Sequence, residues 1–160
     1  MRIIGIDPGY AIVGYGVLDY AGNRFRVVDY GAVTTPAGLA LERRIEIIYD
    51  ELSGILQTYK PQLMGIEKLF FTTNQKTAID VAQARGATML CAVKHGLQLC
   101  EYTPLQVKQA VTGYGKADKN QMQQMTKTLL TLPTVPKPDD TADALAIAIC
   151  CAHSYRAIDN

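Results

Sequence analysis

Apolar positions fall along this chain in two rhythms, and the change between them marks out the elements. Residues 2–7, RIIGID, form an almost unbroken apolar run, as a strand buried on both faces requires. Residues 11–20, AIVGYGVLDY, predict a second strand, with Gly14 and Gly16 on one face and Val13, Tyr15 and Val17 on the other. Gly22-Asn23 is a hairpin signal, and residues 24–34 predict a third strand. Then the period becomes helical. Leu41, Ile45, Ile48, Leu52, Ile55 and Tyr59 make an apolar stripe, with Glu42, Arg43, Glu46, Asp50 and Glu51 mostly off it, until Pro61 stops the helix. Residues 62–67 predict a fourth strand, 74–94 a helix rich in small residues, and 97–102 a fifth strand. Thr103-Pro104 caps and opens a short helix through about Val111. Asp118 with Gln121 three residues on resembles a capping box and starts another helix. The proline-rich LPTVPKP breaks the chain before a last helix that begins near Asp139.

The order β-β-β-α-β-α-β-α-α-α predicts an α/β fold. An antiparallel three-strand meander is extended by two parallel strands into a mixed five-stranded sheet, with helices on both faces and right-handed crossovers. Its 160 residues suit a single domain. A parallel partner for the first strand sets the C-terminal ends of residues 2–7 and 62–67 side by side. Open sheets of this kind bind ligands at that edge.

Composition narrows the picture by exclusion. Hydrophobic residues are 48% and charged residues 19%, with a net charge of +1, so the whole molecule does not advertise a polyanionic partner. No apolar run approaches the ~20 residues of a membrane span, and the N-terminus has no signal-peptide core, so a cytoplasmic protein is expected, with no membrane partner. The four cysteines, Cys91, Cys100, Cys150 and Cys151, form no Cys-x-x-Cys pair and are expected to be reduced.

The chemistry lies in the carboxylates. Asp7 and Glu67 each end a central strand, and Asp140 and Asp143 lie three apart at the start of the last helix, on one face. Asp139 shares a face with Asp143 as well. Taken singly, each has a simpler role: Asp7 in a turn, Glu67 in a strand-end ion pair, the others as first-turn charges. Jointly they predict convergence. Two such charges 4 Å apart repel by ~4 kcal/mol at an effective dielectric of 20, so a cluster must protonate, spread or bind cations. Oxygen ligands without His or Cys select hard ions, Mg²⁺ or Mn²⁺, and a pair of them can hydrolyse a phosphodiester. The positive end of the last helix is expected to favour ionised Asp140 and Asp143. Between residues 104 and 137 stand five lysines (108, 116, 119, 127 and 137) and one acid, Asp118, which predicts a local basic face.

Five stretches carry a resemblance: GIDPGYAIVGYGV, IEKLFFTTNQKTA, AQARGA, EYTPLQVKQAVTGYGKADKNQ and DDTADALAIAI. In that order, over roughly residues 2–153, they resemble the RuvC family of Holliday junction resolvases. The resemblance implies a ribonuclease H-like fold and a homodimer. It also implies Mg²⁺-dependent paired incisions across a four-way DNA junction, in recombination and repair, leaving 5′-phosphate and 3′-hydroxyl ends. It maps the family's four catalytic carboxylates onto Asp7, Glu67, Asp140 and Asp143, its Asp-x-x-Asp spacing selecting Asp140 over Asp139. It maps a base-contacting aromatic onto Phe70, DNA-binding lysines onto Lys108 and Lys119, and a dimer helix onto residues 74–94. The family works with a branch-migration complex. Two neighbouring functions stay open: another nuclease of the superfamily, acting on RNA–DNA hybrid or RNA precursor, and a non-catalytic junction-binding module. An actin-like ATPase would need a second domain and a second phosphate loop, for which this chain has no room.

Overall fold

The computed structural model describes residues 1–69 and 75–156. Strands β1 (Arg2–Asp7), β2 (Ile12–Ala21) and β3 (Arg24–Thr34) form the meander, and β4 (Leu63–Glu67) and β5 (Gln98–Tyr102) extend it in parallel, in the order β3-β2-β1-β4-β5. The helices are α1 (Leu41–Tyr59), α2 (Gln75–Lys94), α3 (Pro104–Thr112), α4 (Lys119–Leu129) and α5 (Asp139–Arg156). The mixed sheet and the element order agree with the sequence expectation, with strand starts displaced by about one residue.

Alternation along β1 distributes its side chains between two cores. Ile4 and Ile6 pack with Ile48, Leu52 and Leu56 of α1 and with Ala84, Cys91 and Ala92 of α2. Ile3 faces the other way, with Leu18, Leu63, Val107 and Val111 of α3, and the apolar body of α5. Helices therefore cover both faces. The α1 stripe differs in one detail from its expected course: Ile48, Leu52 and Leu56 are buried, whereas Ile55 and Tyr59 are half-buried. A spacing of four along the helix keeps the contact line on Leu56.

Helix α5 is buried all round through residues 144–152, because it is sandwiched between the sheet and α3 and α4. Glycines make the seat. A Cβ on Gly14 would collide with the Asp140 carbonyl, and one on Gly5 would stand 2.6 Å from Ala148 N. A Cβ on Gly16 would lie 2.5 Å from Leu145 Cδ2. Gly65 borders Cys151 on β4. Without side chains on three adjacent strands the helix axis drops close to the sheet, and its first turn is pressed against the β1–β2 edge. Thr141 Oγ1 donates to the Gly31 carbonyl at 3.1 Å and ties that turn to β3.

The two lysine-bearing helices start on capping boxes. Thr103 Oγ1 accepts from Gln106 N at 3.1 Å while Gln106 Oε1 accepts from Thr103 N at 2.8 Å, and Asp118 and Gln121 exchange the same pair of bonds at 2.8 Å. Among the described residues the four cysteines are free thiols, and no helix is long and apolar enough to cross a membrane.

Candidate active site

Strand alternation decides where the acids point. Asp7 lies two residues beyond Gly5 and Glu67 two beyond Gly65, so both carboxylates project on the face that α5 occupies. The parallel register pairs Ile6 with Ile66, which carries Asp7 and Glu67 to adjacent strand ends. The seating of α5 on Gly14 brings Asp140 and Asp143 to the same rim. The structure thus brings together Asp7, Glu67, Asp140 and Asp143.

Their electrostatics record the crowding. Asp7 is pushed up to about 8, by burial first and then by the charges of Asp143, Glu67 and Asp140. Burial and the charge of Asp143 raise Glu67, which Lys108 partly offsets. Burial raises Asp143 against the pull of Lys119. For Asp143, desolvation together with the neighbouring charges of Asp140 and Asp139 exceeds that pull. The rim both protonates and spreads. Among the described residues no group of three or more acidic, His or Cys side chains stands close enough together to enclose a metal ion as it is.

Asp139 takes a different part. Its carboxylate meets Lys119 Nζ at 3.0 Å and Lys137 Nζ at 3.2 Å, and accepts from Gln123 Nε2 at 3.3 Å. Those lysines, Lys119 first, hold it below the usual carboxylate range. It is neutralised on the α4 side, outside the group around Asp7.

A cleft of about 270 Å³ opens beside the rim, lined by Glu67, Asp143, Lys108 and Lys119 together with Val107 and Met122. Lys108 rides on α3 and Lys119 opens α4, so the two capped helices deliver one cation to each side of the cleft. Phe70 lies outside the described residues. Sequence reasoning missed Arg85, which donates from Nε to the Glu67 carbonyl at 3.2 Å. The available signal was a lone arginine in a helix otherwise rich in small residues.

The model of the family described as crossover junction endodeoxyribonuclease RuvC matches residues 3–151. The chain belongs to the RuvC family of crossover junction endodeoxyribonucleases. It is 60% identical over 154 residues to the crossover junction endodeoxyribonuclease RuvC of Alkaliphilus oremlandii, covering 96% of this chain and 94% of that one. It is 58% identical over 156 residues to the RuvC of Clostridioides difficile, covering 98% and 92%. Among solved structures it is similar to Thermus thermophilus RuvC in complex with Holliday junction substrate, at a TM-score of 0.93 and 32% identity over 98% of this chain and 96% of that one. The yeast mitochondrial Holliday junction resolvase, at 12% identity and a TM-score of 0.68 over 98% of this chain and 82% of that one, shares the fold. The ribonuclease H-like RuvC fold expected from the five motifs is the fold observed.

Proposed function

We propose that this chain is a metal-dependent endonuclease that resolves four-way DNA junctions by paired phosphodiester hydrolysis, leaving 5′-phosphate ends, with Asp7, Glu67, Asp140 and Asp143 as its metal-holding and catalytic groups. The observation that carries this is the convergence of four carboxylates at one rim, with Asp7 raised by burial and by its acidic neighbours to about 8. The donor set fits hard divalent ions: all oxygen, anionic and mutually repelling. We assign Mg²⁺, with Mn²⁺ as a substitute and two ions per site; bound there, they would supply Lewis-acid charge at the scissile phosphate.

The chain's own residues do the rest. Lys108 and Lys119 attract and orient the phosphate backbone across the cleft, and their charges also lower the cost of keeping Glu67 and Asp143 ionised beside it. Asp7, raised by burial and by its acidic neighbours, holds a proton that bound cations would displace. Phe70 is assigned to unpaired bases at the crossover, where an aromatic ring can stack.

One active site per subunit and two symmetric cuts call for a homodimer. Ile79, Leu90 and Val93 are 63%, 52% and 66% exposed on one face of α2, and a Cβ on Gly86, on that same face, would meet nothing. An apolar stripe with a glycine in it supports close packing of a second copy. We read the whole chain as one nuclease domain acting in the cytoplasm, in recombination and repair, alongside a branch-migration complex.

The test is one gel: a synthetic four-way junction, a linear duplex and an RNA–DNA hybrid, each with Mg²⁺ and with chelator. The junction alone should be cut, symmetrically and only with Mg²⁺. Cleavage of the hybrid with an intact junction would replace the substrate; binding without cleavage in Mg²⁺ would leave a junction-binding module.

A further inference from the structure

The Arg85 side chain is only 10% exposed, and its guanidinium is spoken for on three sides. Nε donates to the Glu67 carbonyl at 3.2 Å, Nη2 meets Glu101 Oε2 on β5, and Nη1 lies 3.1 Å from Met89 Sδ. The sheet explains why the Glu67 carbonyl needs a donor from outside. Lys68 N donates to the Tyr102 carbonyl at 2.8 Å, so residue 68 faces β5 and, by alternation, Glu67 faces β1. In the register that pairs Ile6 with Ile66, the next donor on β1 would be residue 8, which is Pro8 and has no N–H. The ladder therefore ends one bond short at the acidic rim, and a buried carbonyl left there would be costly.

We propose that Arg85 is a positioning residue for Glu67: its forked guanidinium closes the ladder bond that Pro8 cannot make and is itself anchored by Glu101, so that the last residue of β4 is held in line beneath the cleft. The backbone is gripped from the α2 face while the Glu67 carboxylate projects to the α5 face, so Arg85 acts on the site without touching it. Lysine carries the charge but not the fork. This role rests on the reading of Glu67 above as one of the metal-holding groups.

The experiment compares the wild-type protein with Arg85→Met, which keeps the apolar stem, Arg85→Lys and Glu101→Gln. Four quantities are read well below the melting midpoint: kcat and KM on a four-way junction in Mg²⁺, junction Kd in chelator, and Mn²⁺ affinity by titration. Arg85→Met should lose about 10–100-fold in kcat and in Mn²⁺ affinity, with KM and Kd within about twofold. Arg85→Lys should fall between it and wild type, and Glu101→Gln, which keeps an acceptor for the fork, should stay within about threefold of wild type. Wild-type kcat and Mn²⁺ affinity in Arg85→Met, full rescue by Arg85→Lys, or an equal loss in Glu101→Gln would each overturn the assignment. Should Arg85→Met fail to fold, the Arg85→Lys values decide. A wild-type chain that cuts no junction would refute the nuclease function, and the Mn²⁺ titration would still judge Arg85.

Discussion

The two ends of the β1–β2 ladder carry carboxylates in opposite circumstances. At one end Asp19, paired across the ladder with Arg2, accepts Nε at 2.8 Å and Nη2 at 3.0 Å from it, and meets Arg26 Nη2 at 2.5 Å. Arg2 in turn donates to the Tyr59 carbonyl at 2.9 Å. The arginine hydrogen bonds hold Asp19 far below the usual carboxylate range. At the other end Asp7 stands opposite Gly14, its three strongest charged neighbours are acids, and it is pushed up to about 8. The same residue type in the same strand pair closes a structure at one end and leaves it unsatisfied at the other. Asp19 belongs to the fold's own stability; Asp7 is the carboxylate we propose as a metal-holding group.

The sharpest way to break this contrast is substitution at each end. Asp7→Asn should abolish junction cleavage, by at least about 10²-fold, while leaving junction binding in chelator intact. It should also raise the melting midpoint near pH 8, because it removes a repelled charge. Equal loss of binding and cutting would make Asp7 a structural residue like Asp19. Asp19→Asn should do the reverse: about 1–2 kcal/mol of stability lost in denaturant titration, with kcat unchanged well below the melting midpoint.

The pH dependence of stability distinguishes the ends by sign. Asp7 titrates higher folded than unfolded, so its contribution is fully present below the ordinary carboxylate pKa near 4 and is lost as pH rises towards 8. Asp19 titrates lower folded than unfolded, so its contribution is present above about pH 4 and is lost as pH falls through its lowered value. Melting midpoints of the wild type should decline on both sides of a maximum near pH 4. Asp7→Asn should flatten the alkaline decline alone and Asp19→Asn the acid decline alone.

The smallest effect is expected at the cleft's edge. Lys119→Met should weaken junction binding and reduce the slope of log K against log salt by about 1, as for loss of one phosphate contact. It should barely change stability, since its partner Asp139 is exposed. An unchanged salt slope would remove Lys119 from the DNA interface.

Much of this was legible before any coordinates. Periodicity alone placed Asp7 and Glu67 at strand ends, and the capping signals at Thr103 and Asp118 placed Lys108 and Lys119 on their helices, because those signals are local. The depth of the α5 seat was not legible. Gly5, Gly14, Gly16 and Gly65 read as strand glycines, and only their joint approach to one helix shows that they fix where Asp140 and Asp143 lie. The family's Asp-x-x-Asp spacing pointed to Asp140 over Asp139, but helical geometry alone allowed both, and the pairing of Asp139 with lysines from α4 and the loop before α5 was not legible. Arg85 escaped because its partners, a strand carbonyl and Glu101, are 18 and 16 residues away and no pattern links them.

The central claim is that the acids at this rim are strained by one another and are relieved by cations. It is tested most directly by titrating the Asp7 carboxyl carbon in the NMR spectrum, first without divalent ions and then with Mg²⁺. The account predicts a midpoint near 8 without metal, moving well down when Mg²⁺ is added. A midpoint near 4 in metal-free protein, unmoved by Mg²⁺, would contradict it.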